Sequence, residues 1–282
     1  MPSTDTYISG VDAHYAHRDL EGAILAALIA AGKDPDRLKA EDLMAMDEFH
    51  VRGRRATHDL ARDVGPVRNM TVLDVGCGLG GAARFLAREF GCRVTGLDLS
   101  EEYCRVATSL TRRLLLDPLV SFRQGNALDL PFADGSFDLV WTQHAAMNIA
   151  DKARFYGEIR RVLKPGGRLA LYDILAGPGG EVYFPVPWAR EPGISFLVTS
   201  RELLDILGEA GFDVLVWRDV TEGGRSWFRQ MQERSASDGP PSLGLQLLLG
   251  PDFRRMAHNQ FLNLEEDRIT LIEAVVQRPA TC

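Results

Sequence analysis

The chain has 282 residues and a formal net charge of −7; hydrophobic residues make up 45% and charged residues 25%, the make-up of a folded globular protein rather than a disordered or fibrous one. An acidic chain with no basic cluster is a poor ligand for a polyanion, which argues against nucleic acid as a partner. No run approaches the ~20 apolar residues of a membrane span, the polar start Met-Pro-Ser-Thr-Asp has no basic-then-apolar leader, and Cys77, Cys92, Cys104 and Cys282 show no paired spacing; these features point to a cytoplasmic protein with reduced thiols.

Apolar residues at 20, 24, 27, 28 and 31 predict an amphipathic helix over 20–31, closed by Gly32 with Pro35 beyond. Shorter helical patterns cover 39–46 and 54–64, the second stopped by Gly65-Pro66. Residues 1–65 therefore read as a mainly helical N-terminal cap. From 71 to 175 the pattern alternates, with strands expected over 71–75, 93–97, 120–124, 137–141 and 168–175 and helices over 82–90, 101–115 and 152–163. Alternation of this kind implies an α/β fold, a doubly wound parallel sheet with helices on both faces. Ser100 before Glu101-Glu102 reads as a helix N-cap with acids in the first turn. Gly177-Pro-Gly-Gly180 breaks the pattern, and the aromatic stretch that follows holds two prolines, so it cannot join a central strand. Ser200 is expected to cap a helix over 201–210, followed by a strand over 212–220. Residues 222–265 form an insertion with helices near 226–234 and 251–263 around a linker at 235–242. A last strand covers 269–277.

The chemistry centres on Asp74-Val-Gly-Cys-Gly-Leu-Gly80, between the first strand and the next helix. Glycine lets the backbone turn sharply and lets a ligand approach with no Cβ in the way. The following helix start presents free N–H groups to a polar ligand. Asp98 ends the second strand 22 residues after Gly76 (98 − 76), near the ~20-residue spacing at which a carboxylate meets ribose hydroxyls.

In sequence, Asp74 to Gly80 resembles the first motif of the class I S-adenosylmethionine-dependent methyltransferases, and Asp98-Leu99-Ser100 the second. Gly125-Asn-Ala-Leu-Asp-Leu-Pro131 resembles their adenine-contact loop. Phe137 to His144 resembles the fourth strand, and Leu163-Lys-Pro-Gly-Gly-Arg-Leu-Ala170 the turn and strand after it. Five motifs in order cover about a third of the chain. The small-molecule branch is the nearest likeness, with the gamma-tocopherol, sarcosine/dimethylglycine and ubiquinone-biosynthesis groups foremost. The resemblance implies a Rossmann-like domain over 66–282, seven strands with the last antiparallel, and a helical lid at 222–265 between the sixth and seventh. It also implies S-adenosylmethionine as cofactor and in-line methyl transfer to a small molecule.

On that reading Asp98 takes the ribose hydroxyls, with Leu99 beside it, and Asp74 takes the cofactor ammonium. Gly76, Gly78 and Gly80 let the backbone approach the cofactor. Asn126, Ala127 and Leu128 contact adenine, Asn126 through either its amide oxygen or its NH2 group. Gln143 touches the amino-acid part. Likeness to phosphoethanolamine-type enzymes folds the 47–57 loop over the methionine end, with Phe49 and His50 lining the site. His144 is the expected base, since it ends the fourth strand and titrates near neutrality. Met147, Asn148, Tyr172, Tyr183, Trp188 and Arg190 are expected around the acceptor; the aromatic residues would suit a cationic nitrogen, which favours an amine acceptor, with carbon second. His14 and His17 have no third ligand, so no metal is expected. The partner is a small-molecule substrate, with no nucleic acid and no membrane, and a homodimer is left open. The alternatives are an NAD-dependent oxidoreductase using the same turn and acid, and a non-catalytic cofactor-binding protein.

Overall fold

The computed structural model describes residues 4–15, 19–238 and 244–280; His17, Cys282 and part of the 235–242 linker fall outside them. Seven apolar runs pair into one sheet: β1 (Thr71–Val75), β2 (Arg93–Asp98), β3 (Val120–Gln124), β4 (Phe137–Gln143), β5 (Leu163–Ala176), β6 (Asp213–Asp219) and β7 (Ile269–Gln277), in the order β3-β2-β1-β4-β5-β7-β6. β1 lies parallel to both β2 and β4, and β7 runs antiparallel to β5 and β6. The order reverses at β1, so a crevice opens beyond the carboxyl ends of β1 and β4, where open α/β sheets bind ligands.

Eleven helices are described: α1 (Thr4–Tyr15), α2 (Leu20–Ala30), α3 (Ala40–Asp47), α4 (Arg54–Val64), α5 (Gly81–Phe90), α6 (Glu101–Arg113), α7 (Lys152–Val162), α8 (Ser200–Glu209), α9 (Thr221–Asp238), α10 (Gln246–Leu249) and α11 (Phe253–Glu265). The two faces of β1 divide the core. Val72 packs with Leu60 of α4 and Phe85 and Leu86 of α5, whereas Leu73 and Val75 pack with Phe155 and Ile159 of α7. A third cluster joins the start of the chain to the 222–265 segment: Ile24 and Leu28 of α2 and Leu43 of α3 meet Val106 and Leu110 of α6, Leu248 of α10 and Met256 of α11. Each such aliphatic side chain, fully buried, contributes about 1.5–3 kcal/mol.

Several elements differ from the sequence expectation for physical reasons. α1 was not expected at all; it is held by contacts distant in sequence, such as the His14 ring nitrogen at 2.9 Å from the Pro187 carbonyl oxygen. β5 begins at Leu163 rather than 168, because Leu163 already pairs with Phe137 ahead of the Pro-Gly turn. The N-cap of α8 is Thr199, not Ser200: Thr199 Oγ1 accepts from the Glu202 N–H while Glu202 accepts from the Thr199 N–H, and only that register places a glutamate three residues on. Gly223-Gly224 lies inside α9 instead of preceding it. A Cβ at Gly224 would come within 2.4 Å of Leu271 Cδ1, so this glycine serves close helix–sheet packing and not a turn. Ser100 caps α6 as expected, accepting from the Tyr103 N–H.

Candidate functional site

The glycine turn after β1 is tied down from β2. The Gly76 and Cys77 N–H groups donate to Leu97 O, and the Gly78 N–H donates to Asp98 Oδ2 at 2.8 Å. Gly78 has φ +52° with open space where a Cβ would stand, so its backbone faces the crevice. Gly76, at φ +75°, leaves room for Ala145, whose Cβ would lie 2.6 Å from an added methyl. Gly80 departs from expectation: it does not line the cavity, and the space its missing Cβ leaves is filled by the Phe122 ring.

One cavity gathers most of the expected residues. Its wall includes His50, Asp74, Gly76, Gly78, Asp98 and Leu99, then Asn126, Ala127, Leu128, Gln143, His144, Met147, Asn148 and Trp188. Asp74 is 2% exposed, and its Oδ2 has no hydrogen-bond partner among the described residues. Burial, reinforced by the Asp98 charge and opposed by the Ala83 N–H, pushes its carboxyl up to about 7. An orphaned carboxylate oxygen of this kind is suited to a cationic ligand group. Burial also raises Asp98, against N–H bonds from Ser100, Gly78 and Leu99. Asn126 Oδ1 accepts from the Leu128 N–H at 2.9 Å, which leaves its NH2 as the group free to donate. Gln143 Oε1 accepts from Trp141 Nε1 at 2.9 Å, while its Nε2 is buried without a partner.

His144 turns the chain at the end of β4, with φ +49° and its N–H donating to Tyr172 O at 2.7 Å. Its Nε2 is buried and unpartnered. Burial, with a further contribution from His50, holds its imidazole well below the ordinary histidine value, so it is neutral at pH 7. The His50 ring packs edge-on to it at 5.9 Å between centroids. His50 Nε2 lies 3.0 Å from Glu48 Oε2, which also accepts from Thr57 Oγ1 at 2.9 Å. Burial opposes the Glu48 charge, but the His50 and Thr57 hydrogen bonds and nearby Arg54 outweigh it and keep Glu48 ionised.

Three expected substrate residues are placed differently. Tyr172 is fully buried outside the cavity wall, donating to Val51 O at 3.0 Å. Tyr183 is 39% exposed and already covered by the Arg268 guanidinium, 3.9 Å from its ring centroid. Arg190 is at the surface, paired with Asp252. Asn148 does line the cavity, but its amide is committed: Nδ2 donates to Trp188 O and Ile194 O, both at 2.8 Å, and Oδ1 accepts from Tyr15 O–H at 3.1 Å. Trp188 is 1% exposed and donates from Nε1 to Ser195 Oγ. Sequence reasoning missed Glu48, Thr57 and Trp141, which position His50 and Gln143. It also missed Trp227, Phe253 and Gln260, which complete the wall. Only Gln260 left a signal, as an amide on the otherwise apolar stripe 253, 256, 257, 260, 264 of α11.

Comparison with known proteins matches residues 73–171 to the family described as "Methyltransferase domain". The chain is 31% identical over 211 residues to the O-methyltransferase cnsE of Penicillium expansum, covering 74% of this chain and 75% of that protein. It is 35% identical over 187 residues to the methyltransferase GfsG of Streptomyces halstedii, covering 64% and 66%. Among solved structures, geranyl diphosphate C-methyltransferase from Streptomyces coelicolor, in complex with Mg2+, geranyl diphosphate and S-adenosyl-L-homocysteine, superposes with a TM-score of 0.70 at 20% identity over 96% of this chain and 97% of that one.

Proposed function

The chain belongs to the class I S-adenosylmethionine-dependent methyltransferases, and from that membership we propose that it methylates a hydroxyl of a small, largely apolar acceptor, with His144 as the base. The cofactor is S-adenosylmethionine, which supplies an electrophilic methyl group on a positively charged sulfur. The relatives include an O-methyltransferase and a structural neighbour that is a C-methyltransferase, so membership leaves the acceptor atom open.

The residues present fit that cofactor. Asp98 accepts from the ribose hydroxyls, Asp74 Oδ2 from the ammonium, and the free NH2 of Gln143 donates to the carboxylate. The Asn126 NH2 group donates to the adenine ring, and the open backbone at Gly78 admits the cofactor against the turn. The helices of residues 1–65 and the lid at 222–265 close over it; Val11 and Tyr15 of α1 and Trp227, Phe253 and Gln260 of α9 and α11 on the cavity wall support this. Their apolar side chains keep water from the acceptor.

The observation that carries the choice of oxygen is the unpartnered ring nitrogen of neutral His144 on the cavity wall. A hydroxyl must lose its proton as it attacks, and the free lone pair of neutral His144 is the acceptor the wall offers, a weaker base than an exposed histidine because it is buried. An amine nitrogen is the second reading, favoured by the acids of the wall, Asp12, Asp74 and Asp98. The aromatic argument for nitrogen is weaker than the sequence implied, since Tyr183 already holds Arg268.

The test is a screen of hydroxyl and amine acceptors, with mass-spectrometric detection of one added methyl, on wild type and His144→Ala. The expected result is hydroxyl methylation that falls roughly 10²–10⁴-fold in the variant while S-adenosylhomocysteine binding is kept. Transfer to amines alone, indifferent to His144, would overturn the oxygen reading.

A further inference from the structure

The acceptor half of the cavity is walled by apolar side chains from both ends of the chain, among them Val11, Phe49, Met147, Trp227, Leu248 and Phe253. Among the described residues lining the cavity, none is a lysine or arginine; the charged side chains there are Asp12, Asp47, Asp74 and Asp98. Asp47 is paired with Arg84, and the rest leave the interior negative. A carboxylate, sulfate or phosphate on the acceptor would find no basic side chain on the described wall to pair with, in a low-dielectric space that disfavours a bare charge.

Besides Asp74, Gln143 and His144, two uncharged polar side chains of the wall form no hydrogen bond within the described residues: Tyr103, whose O–H is buried, and Gln260. Gln260 of α11 is 6% exposed and on the cavity wall; no hydrogen bond joins its amide to another described residue, and its amide atoms keep contact with the cavity space. Two amides on the same helix are engaged: Asn259 Nδ2 donates to Pro185 O at 2.9 Å, and Asn263 both accepts from the Tyr183 N–H at 2.8 Å and donates to Tyr183 O at 3.1 Å. Those contacts fix the rotation of α11 and aim Gln260 inward. An amide that faces the cavity with no protein partner is available to a ligand atom.

We propose that Gln260 is the specificity-determining residue of the acceptor site, hydrogen-bonding a second, uncharged oxygen on a neutral apolar acceptor, and that acceptors bearing an anionic group are excluded. This rests on the reading of the cavity as a methyl-acceptor site and adds the chemical class of the acceptor.

The test uses equilibrium binding, so it does not depend on turnover. Phenol, 4-hydroxybenzaldehyde and 4-hydroxybenzoate share a ring and a phenolic hydroxyl. They differ at one position, which carries hydrogen, a neutral carbonyl or a carboxylate. Naphthol and its neutral hydroxymethyl and carboxylate derivatives form a second, larger series. Each is titrated calorimetrically into protein saturated with S-adenosylhomocysteine. In at least one series the neutral two-oxygen probe is expected to bind about fivefold tighter than the one-oxygen probe and at least about tenfold tighter than the carboxylate. In Gln260→Leu the first preference vanishes, the second persists, and the melting temperature is unchanged or raised. A structural role for Gln260 would instead lower the melting temperature and weaken all probes alike. That outcome, tight carboxylate binding, or no binding by any neutral probe would overturn the proposal. His144→Ala should keep the same order of affinities; loss of methyl transfer with that order intact, or transfer to an atom other than oxygen, bears on the proposed reaction and not on Gln260.

Discussion

At the scale of single residues, the site depends on polar atoms whose partners are already chosen. Asp98 accepts from the Gly78 N–H through Oδ2 and from the Ser100 N–H through Oδ1, so it both shapes the glycine turn and faces the cavity. Asp98→Ala is expected to weaken S-adenosylhomocysteine binding by about 1–3 kcal/mol, read by calorimetry; Asp98→Asn, which keeps an acceptor, should lose less. Unchanged affinity in the alanine variant would move the ribose contact elsewhere. Asp74, Asp98, Gly78 and the 126–128 loop were legible in the sequence because short segments next to strand ends place them. Tyr183 and Arg190 were misplaced because their partners, Arg268 and Asp252, come from just beyond and from within the 222–265 segment. No local pattern reveals such pairings. Glu48 was missed for the same reason: a carboxylate in a loop reads as solvated until His50 and Thr57 are found around it.

At the scale of elements, the turn from β4 into α7 holds His144 in place. The buried Lys152 ammonium donates to Ala146 O and Ile149 O, both at 2.8 Å, and Asp173 Oδ2 accepts from the Ala146 N–H at 3.0 Å. Burial lowers Lys152 to about 8, against the pull of Asp173. Lys152→Met removes the cation and leaves Asp173 and two carbonyls uncompensated. The expected loss is about 3–5 kcal/mol in urea unfolding, with methyl transfer falling as His144 loses its setting. A second element depends on the missing side chain of Gly177, whose Cβ would stand 2.0 Å from Asp267 O. Gly177→Ala should cost about 1–3 kcal/mol by the same measurement, since the obstacle is backbone. The glycines at 177–180 were read as a break, and they are one; their close fit against the turn from α11 into β7 could not be read. The sheet was legible because buried strands announce themselves as apolar runs at regular intervals. α1 and the start of α9 were not, because contacts distant in sequence hold the first and the second hides its glycines in a helix–sheet contact.

At the scale of the whole molecule, fold and ligand are linked through buried acids. Burial raises Asp47 and Asp173 to about 6 and Asp74 to about 7. Asp47 has Arg84 and Asp173 has Lys152 nearby, whereas Asp74 has no basic partner among the described residues. A carboxylate whose folded pKa lies above its unfolded value contributes stability below pH ~4, and that contribution is lost as pH rises through the folded value, here near 7. For Asp74 the loss is on the order of 4 kcal/mol by pH 8. Ligand-free Asp74→Asn should therefore be more stable than wild type at pH 8 by an amount of that order, with the difference shrinking towards pH 4. Saturating S-adenosylhomocysteine should reverse the ranking at pH 8, because its ammonium pairs with ionised Asp74 and offers nothing comparable to the amide. The same linkage makes wild-type affinity rise by roughly tenfold per pH unit below 7 and level off above it, while the variant stays weak and flat. Urea midpoints and calorimetric titrations from pH 5 to pH 8 measure both effects. If Asp74→Asn tracks wild type at every pH, with and without ligand, then Asp74 is not the ammonium's partner and the cavity takes its cofactor in another orientation.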